Sequence, residues 1–368
     1  MDFILFHRVW PDPALLLAAL GLVWFGLLYL LRLTYVQGDH SWPTSSSAPQ
    51  FIHISPLDYG KALLAWIDNY QRTYAIAPGL YYTGEKYDQT MPLLVTANYQ
   101  LTVFLLLHRC WGLNVRLLVV DSDAINVWCA AGKGRFSNQR IIEQLERYER
   151  NILAAPGKRI QMILPKFGFP GVDYRELFHH HYRLRPIIGP FYAKDLPKYL
   201  EKPPLKDCRN DRVRFGLQSR IFTLLPGFFQ SIAYYLPALL VMLVLETMLT
   251  HKVALWLLLF PLLVAFLYPL LFPIIPGVRF AVKGIWLGGV LSVVFCVGWI
   301  LDMLSIGSAL TGTLFTLASA IFFGLSYTGN SAVSNYSSVR KETALFLPWC
   351  GALMLLALAG FIYIEVVL

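Results

Sequence analysis

Residues 126–134 read NVWCAAGKG and place a single cysteine three positions after a helix-capping residue. Asn126 is a favourable N-cap, and Gly132 with Gly134 can end a helix, so the pattern predicts a short helical turn between them. Cys129 then lies in the first turn, where backbone N–H groups and the helix dipole lower the pKa of a thiol. The stretch therefore predicts a reactive thiolate on a short, rigid helix.

Four kinds of site use a cysteine in such a place. A buried structural cysteine is common beside tryptophan and alanine. A phosphate-binding loop is excluded, because it needs glycine at 127 and Ser or Thr at 134, where this chain has Val127 and Gly134. A cysteine protease needs a histidine base, which no sequence signature identifies here. The fourth kind is a thiolate ligand to a soft or borderline metal in a bound cofactor.

The elements that position this stretch are strands and helices in alternation. PLLVTANY at 92–99 and RLLVVDSD at 116–123 are short apolar runs bounded by turn residues, which is typical of buried parallel strands. Segments of helical length lie at 100–113 and 137–151, and a third strand-like run follows at 159–168. This alternation predicts a doubly wound, Rossmann-like α/β sheet, in which ligands bind beyond the carboxyl ends of the strands. The cysteine follows one of those ends.

The composition indicates a membrane protein. Of the 368 residues 56% are hydrophobic and 14% are charged, and the mean hydropathy of +0.52 is too high for an ordinary soluble protein. Since a membrane helix needs about 20 apolar residues, we predict helices near 14–32, 222–247, 253–275, 283–302, 309–328 and 344–365. The predicted layout is an N-terminal anchor (1–32), a linker (33–51), an α/β domain (52–201), a basic juxtamembrane segment (202–220) and a membrane domain of five helices (221–368).

The distribution of basic residues predicts the orientation. Lys and Arg are concentrated before the second predicted helix and in alternate loops, at Arg279, Lys283, Arg340 and Lys341, so the α/β domain is expected on the cytoplasmic side of the inner membrane. Five scattered cysteines without close pairing fit a reducing compartment. The basic stretch 194–220 directly precedes a membrane helix, which favours lipid head groups over nucleic acid as its partner.

The stretch NVWCAAGKG resembles the signature of the mercury-methylation corrinoid protein family (HgcA), Asn-Val/Ile-Trp-Cys-Ala-Ala/Ser-Gly-Lys, and matches it at every position. The resemblance extends through APGLYYTG (77–84), LLVTANY (93–99), ILPKFGFPGV (163–172) and IIGPFYAKDLPKYL (187–200), and it covers about residues 75–368. It implies a corrinoid-binding domain similar to that of the corrinoid iron–sulfur protein. The apolar segment at 14–31 departs from the usual family pattern.

The resemblance also implies the site residues and the cofactor. Cys129 would be the catalytic residue, ligating the cobalt of a cobalamin-type corrinoid in place of the usual benzimidazole or histidine. Asn126 and Trp128 would fix the helix that carries it. The residues implied to bind the corrinoid are Thr96, Ala97, Asn98, Asn126, Val127, Trp128, Cys129, Ala130, Ala131, Gly132 and Lys133.

The implied activity is that of a membrane-anchored, corrinoid-dependent methyltransferase, which transfers a methyl group from Cys-ligated methylcobalt to Hg(II) and forms methylmercury. The implied partners are a small ferredoxin with two [4Fe–4S] clusters, and a methyl-donor protein or methyl-tetrahydrofolate. This chain has only five cysteines, too few to bind such clusters itself. Two alternatives stay open: a corrinoid methyl carrier for another acceptor, and a membrane transporter or receptor with a soluble ligand-binding domain.

Overall fold

The computed structural model describes residues 47–67, 74–153, 159–180, 183–202, 205–213, 215–224, 226–227, 254–331, 333–334 and 336–367. The chain divides into two compact units, with the boundary at Val213. We call the described residues from 47 to 213 the sheet unit, and those from 215 to 367 the helical unit. The predicted juxtamembrane segment 202–220 is thus divided between them.

The sheet unit contains a six-stranded, mostly parallel sheet of order β1-β2-β4-β3-β5-β6. Its strands are β1 (Gln50–Phe51), β2 (Gly79–Tyr82), β3 (Leu93–Ala97), β4 (Arg116–Val120), β5 (Ile160–Leu164) and β6 (Leu184–Ile188). The prediction of an α/β sheet is therefore confirmed. The sheet differs from a fully parallel one because β2 pairs antiparallel with β4. The short connection 83–92 between β2 and β3 suffices for strands of opposite direction, whereas parallel strands need a longer crossover.

The central strands are covered on both faces, which explains why they are continuous apolar runs. Every residue of β3 and of β4 is buried. Along β3, Leu93, Val95 and Ala97 belong to one core cluster, and Leu94 belongs to the cluster on the opposite face. This alternation is the two-residue period of a strand. It decides which side chains of β3 face the helices that follow β4.

The helices of the sheet unit follow the sequence pattern with small differences in their bounds. They are Pro56–Ile67, Gln100–Arg109, Val127–Gly132, Asn138–Arg147, Glu149–Leu153, Tyr174–His180 and Leu196–Leu200, with 3₁₀ turns at Lys166–Gly171 and Ala193–Asp195. The predicted helix over 137–151 is two helices separated at Tyr148. The first of them buries Ile141 and Leu145 on one face, as its apolar periodicity predicts.

The helical unit contains the helices Ala254–Leu271, Phe280–Ile300, Ile306–Tyr327 and Tyr336–Val367. Within the described residues, three stretches are long and apolar enough to cross a membrane: Phe280–Ile300, Ile306–Asn330 and Ser337–Ile364. The apolar stretch Leu259–Leu271 is shorter. Three of the membrane helices predicted in this part of the chain, at 283–302, 309–328 and 344–365, therefore correspond to helices that could cross a membrane, whereas the one predicted at 253–275 corresponds to the shorter apolar stretch. The predicted helix at 14–32 and most of the one at 222–247 lie outside the described residues.

Candidate functional site

The cysteine of the motif lies on a six-residue helix, Val127–Gly132, which we call the cap helix. It follows β4 through the loop 121–126. Asn126 has extended backbone angles (φ −59°, ψ 155°), and its Oδ1 accepts a hydrogen bond of 2.9 Å from the backbone N–H of Cys129. The predicted N-cap and the first-turn position of Cys129 are therefore confirmed.

The end of the cap helix differs from the expectation. Gly132 is its last helical residue, and Lys133 at the C-cap has φ −98°. The left-handed residue is Gly134, with φ +68°, and a Cβ there would meet open space. After it the chain turns back, so that the N–H groups of Arg135 and Phe136 donate to the carbonyl of Ala130 at 2.8 and 3.2 Å. Gly134, and not Gly132, is thus the residue that needs glycine for its φ angle.

Tight packing holds the cap helix in place. Val127, Ala130 and Ala131 are buried in the core cluster that also contains alternate residues of β3. The 3₁₀ turn Lys166–Gly171 packs against this buried face of the helix. A Cβ added to Gly171 would lie 2.9 Å from Ala131 Cα and closer still to a backbone carbonyl oxygen. Only glycine therefore fits at the point where the turn meets the helix.

The thiol of Cys129 is only partly accessible, and it packs against the same core cluster. Burial raises the pKa of this thiol, while the positive charge of Lys133 and a hydrogen bond with the Asn126 side chain act in the opposite direction. In the protein without ligand, burial thus opposes the predicted thiolate, because desolvation outweighs the combined effects of Lys133 and Asn126 on the pKa. A bound metal ion would reverse this, since a coordinated thiol is deprotonated.

The other residues that the resemblance assigns to the corrinoid are not all brought to the cap helix. Thr96 and Ala97 lie within β3 and are 2% and 0% exposed. Ala97 is in the cluster that contains the cap helix, whereas strand alternation turns Thr96 to the opposite face of the sheet. Asn98 directly follows β3 and contacts the loop before the cap helix. On the cap helix, Trp128 is half-buried.

Four charged residues around the loop 121–126 were not predicted. Arg140 Nη1 lies 2.9 Å from Asp121 Oδ2, and Arg135 Nε lies 3.1 Å from Asp123 Oδ2. Both acids lie in the loop that follows β4, and both arginines follow the cap helix, so their spacing in the sequence does not show that they pair. The ion pairs join the two ends of the segment that carries Cys129.

The donor set around Cys129 fits a metal that brings most of its own ligands. In the part of the chain that the structure describes, no three His, Cys, Asp or Glu side chains are grouped to hold a metal ion. A cofactor whose macrocycle already binds its metal needs few ligands from the protein, and one cysteine thiolate can supply a ligand to such a metal, as it does for haem iron. Cys129 on the cap helix is therefore a residue that would hold such a cofactor through its sulfur.

No protein-family model matches the chain, and no curated protein matches it either.

Proposed function

We propose that the chain is a membrane-anchored, corrinoid-dependent methyltransferase that delivers a methyl group to Hg(II). The observation that carries the proposal is the single half-buried thiol of Cys129, held on a capped helix at the carboxyl edge of the parallel strands. Ligands of α/β sheets bind at this edge. The Hg(II) acceptor is proposed from the resemblance of the motif.

In this proposal the residues of the cap helix orient and desolvate one sulfur atom. Asn126 fixes the first turn, and the buried alanines 130 and 131 prevent the helix from shifting. A bound corrinoid would supply a cobalt centre that can accept and release a methyl group. Cys129 would hold that group through its sulfur, and a thiolate there would supply the electron density that favours release of a methyl group to an electrophile. The exposed Lys133 stabilises the charged form of the sulfur from outside.

The proposal is tested with the full-length protein in its membrane fraction under anaerobic conditions. The fraction is supplied with a methyl donor, a reductant and Hg(II), and methylmercury is measured beside the cobalt absorption spectrum. We expect both a corrinoid spectrum and methylmercury. A corrinoid spectrum without methylmercury would favour a methyl carrier for another acceptor. A protein that retains no corrinoid would favour the transporter or receptor.

The proposed orientation places the sheet unit in the cytoplasm of a cell with an inner membrane. It is supported by basic residues at the N-terminal ends of two of the long apolar helices. Arg279 directly precedes the helix Phe280–Ile300 and Lys283 lies in its first turn, while Arg340 and Lys341 lie near the start of the helix Tyr336–Val367. A reporter that is active only outside the cytoplasm is expected to be active when fused after Leu368. It is expected to be silent when fused after Gly132. The opposite pattern would contradict the orientation.

A further inference from the structure

We propose that Asn98 is a positioning residue: its side-chain amide holds the loop 121–126 in a strained conformation and thereby fixes Cys129, without itself contacting the cofactor. The inference rests on the proposed function for its corrinoid part. It also reassigns a residue, because the resemblance places Asn98 among the corrinoid contacts.

The loop contains two consecutive non-glycine residues with left-handed backbone angles. Asp123 has φ +58° and Ala124 has φ +53°. An L-residue is disfavoured in this region because its Cβ approaches the following carbonyl oxygen. Strain of this kind persists only where the surroundings hold the backbone in place, and it is concentrated at functional sites.

The side-chain oxygen of Asn98 supplies much of that restraint. Asn98 Oδ1 lies 2.9 Å from the backbone N of Ser122, 3.0 Å from the backbone N of Ala124 and 2.8 Å from Ser122 Oγ. Two of these donors flank Asp123, so the bonds span the first strained residue. On the other side of the amide, Asn98 Nδ2 donates to Asp121 Oδ1 at 3.4 Å. The backbone N–H groups of Ser122 and Ala124 occupy both lone pairs of this oxygen, so none is left for a cofactor.

Asn98 is itself fixed by the sheet. Its backbone N–H donates to the carbonyl of Val120 at 3.0 Å, and its carbonyl accepts from the N–H of Ile76 at 3.0 Å. The residue is 6% exposed. The backbone of Asn98 is therefore held at the edge of the sheet. From there its side-chain amide contacts the loop that follows the neighbouring strand β4.

The restrained loop leads directly into the cap helix that carries the thiol. The loop ends at Asn126, whose side chain caps the N–H of Cys129. Asn126 lies only two residues after Ala124. If Ala124 left its left-handed conformation, the capping side chain of Asn126 would therefore be displaced. The first turn of the cap helix would then fray and expose the thiol.

The test uses the full-length protein without corrinoid and three variants: Asn98→Ala, Ala124→Gly and the double variant. Alkylation of Cys129 is followed by mass spectrometry of its peptide, which separates it from the other cysteines. We expect Asn98→Ala to raise the alkylation rate about tenfold, because the lost hydrogen bonds no longer favour the closed loop. Ala124→Gly alone should leave the rate unchanged. The double variant should regain most of the protection, since glycine adopts positive φ without strain.

Rescue by glycine is the decisive result. An Asn98→Ala variant with wild-type alkylation would overturn the inference, and so would a double variant with no rescue. If Asn98→Ala does not fold, Asn98→Ser replaces it, because a hydroxyl places no charge beside Asp121 and is too short to bridge both backbone donors. Asn98→Ser is expected to raise the alkylation rate severalfold, and Ala124→Gly is expected to reverse that rise. A wild-type rate in Asn98→Ser, or a rise that Ala124→Gly does not reverse, would overturn the inference.

A second measurement separates this inference from the proposed function. The variants are loaded with corrinoid, and the cobalt–thiolate absorption is recorded. The spectrum is expected to weaken in Asn98→Ala and to return in the double variant. A spectrum lost in Asn98→Ala and not restored by glycine would make Asn98 a cofactor contact and overturn the inference. If the wild type itself binds no corrinoid, the proposed function fails, and the alkylation series still decides the role of Asn98.

Discussion

Replacing Cys129 with alanine is expected to reduce the rate of methyl transfer to Hg(II) by a factor of about 100 or more. Mutating a residue that only hydrogen-bonds to a metal ligand already lowers activity by about 10- to 100-fold, and removing the ligand itself should lower it at least as much. The fold should survive, because the hydrogen bond from the backbone N–H of residue 129 to Asn126 Oδ1 does not depend on the sulfur. Deleting one partly accessible sulfur atom should lower the free energy of unfolding by about 1 kcal/mol. The measurements are methylmercury formation and the cobalt absorption spectrum of the oxidised protein.

Three variants are the controls for this experiment. Cys110→Ala and Cys208→Ala remove buried thiols outside the cap helix, and both should retain the wild-type spectrum and most of the activity. Lys133→Ala should keep corrinoid binding, and the protein should show no ATP binding before or after the change. The positive charge of Lys133 lowers the pKa of the Cys129 thiol, so this pKa should rise further in the Lys133→Ala variant. Alkylation of Cys129 in the protein without corrinoid should then need a higher pH. A Cys129→Ala protein with unchanged spectrum and activity would return this cysteine to a structural role.

The second large effect is expected from Gly171→Val. Any side chain at this position overlaps the backbone of the cap helix and of the chain that follows it, so one of the two segments must move. Overpacking a tight contact with a branched side chain should lower the free energy of unfolding by about 3 kcal/mol. Urea-dependent proteolysis of the full-length protein in detergent measures this change. Corrinoid binding should fall with it, because the displaced element carries Cys129.

Gly60→Val is the matched control for Gly171→Val. Gly60 lies in the helix Pro56–Ile67, and a Cβ there would meet no atom within 4 Å. The same substitution should therefore leave the proteolysis profile within about 0.5 kcal/mol of the wild type. Equal profiles for the two variants would show that the 3₁₀ turn does not fix the cap helix.

Much of the fold was predictable because the signals are local. Strands β3 and β4 are continuous apolar runs, since helices cover both of their faces, and that burial appears directly in their composition. The cap helix was predictable from Asn126, because an N-cap needs only the next three residues. The three long apolar helices follow from length and hydropathy alone.

The sequence by itself therefore determined the strands β3, β4 and β5, the three helices that are long and apolar enough for a membrane, and the place of Cys129 in a first helical turn. Tertiary structure decided the state of the thiol, because desolvation depends on how residues distant in sequence pack around the cap helix. It also decided the direction of β2 and the pairing of Arg135 and Arg140 with two aspartates. The role proposed for Asn98 belongs to this second group. Its amide meets a loop more than twenty residues away, and only the pairing of β3 with β4 brings the two together.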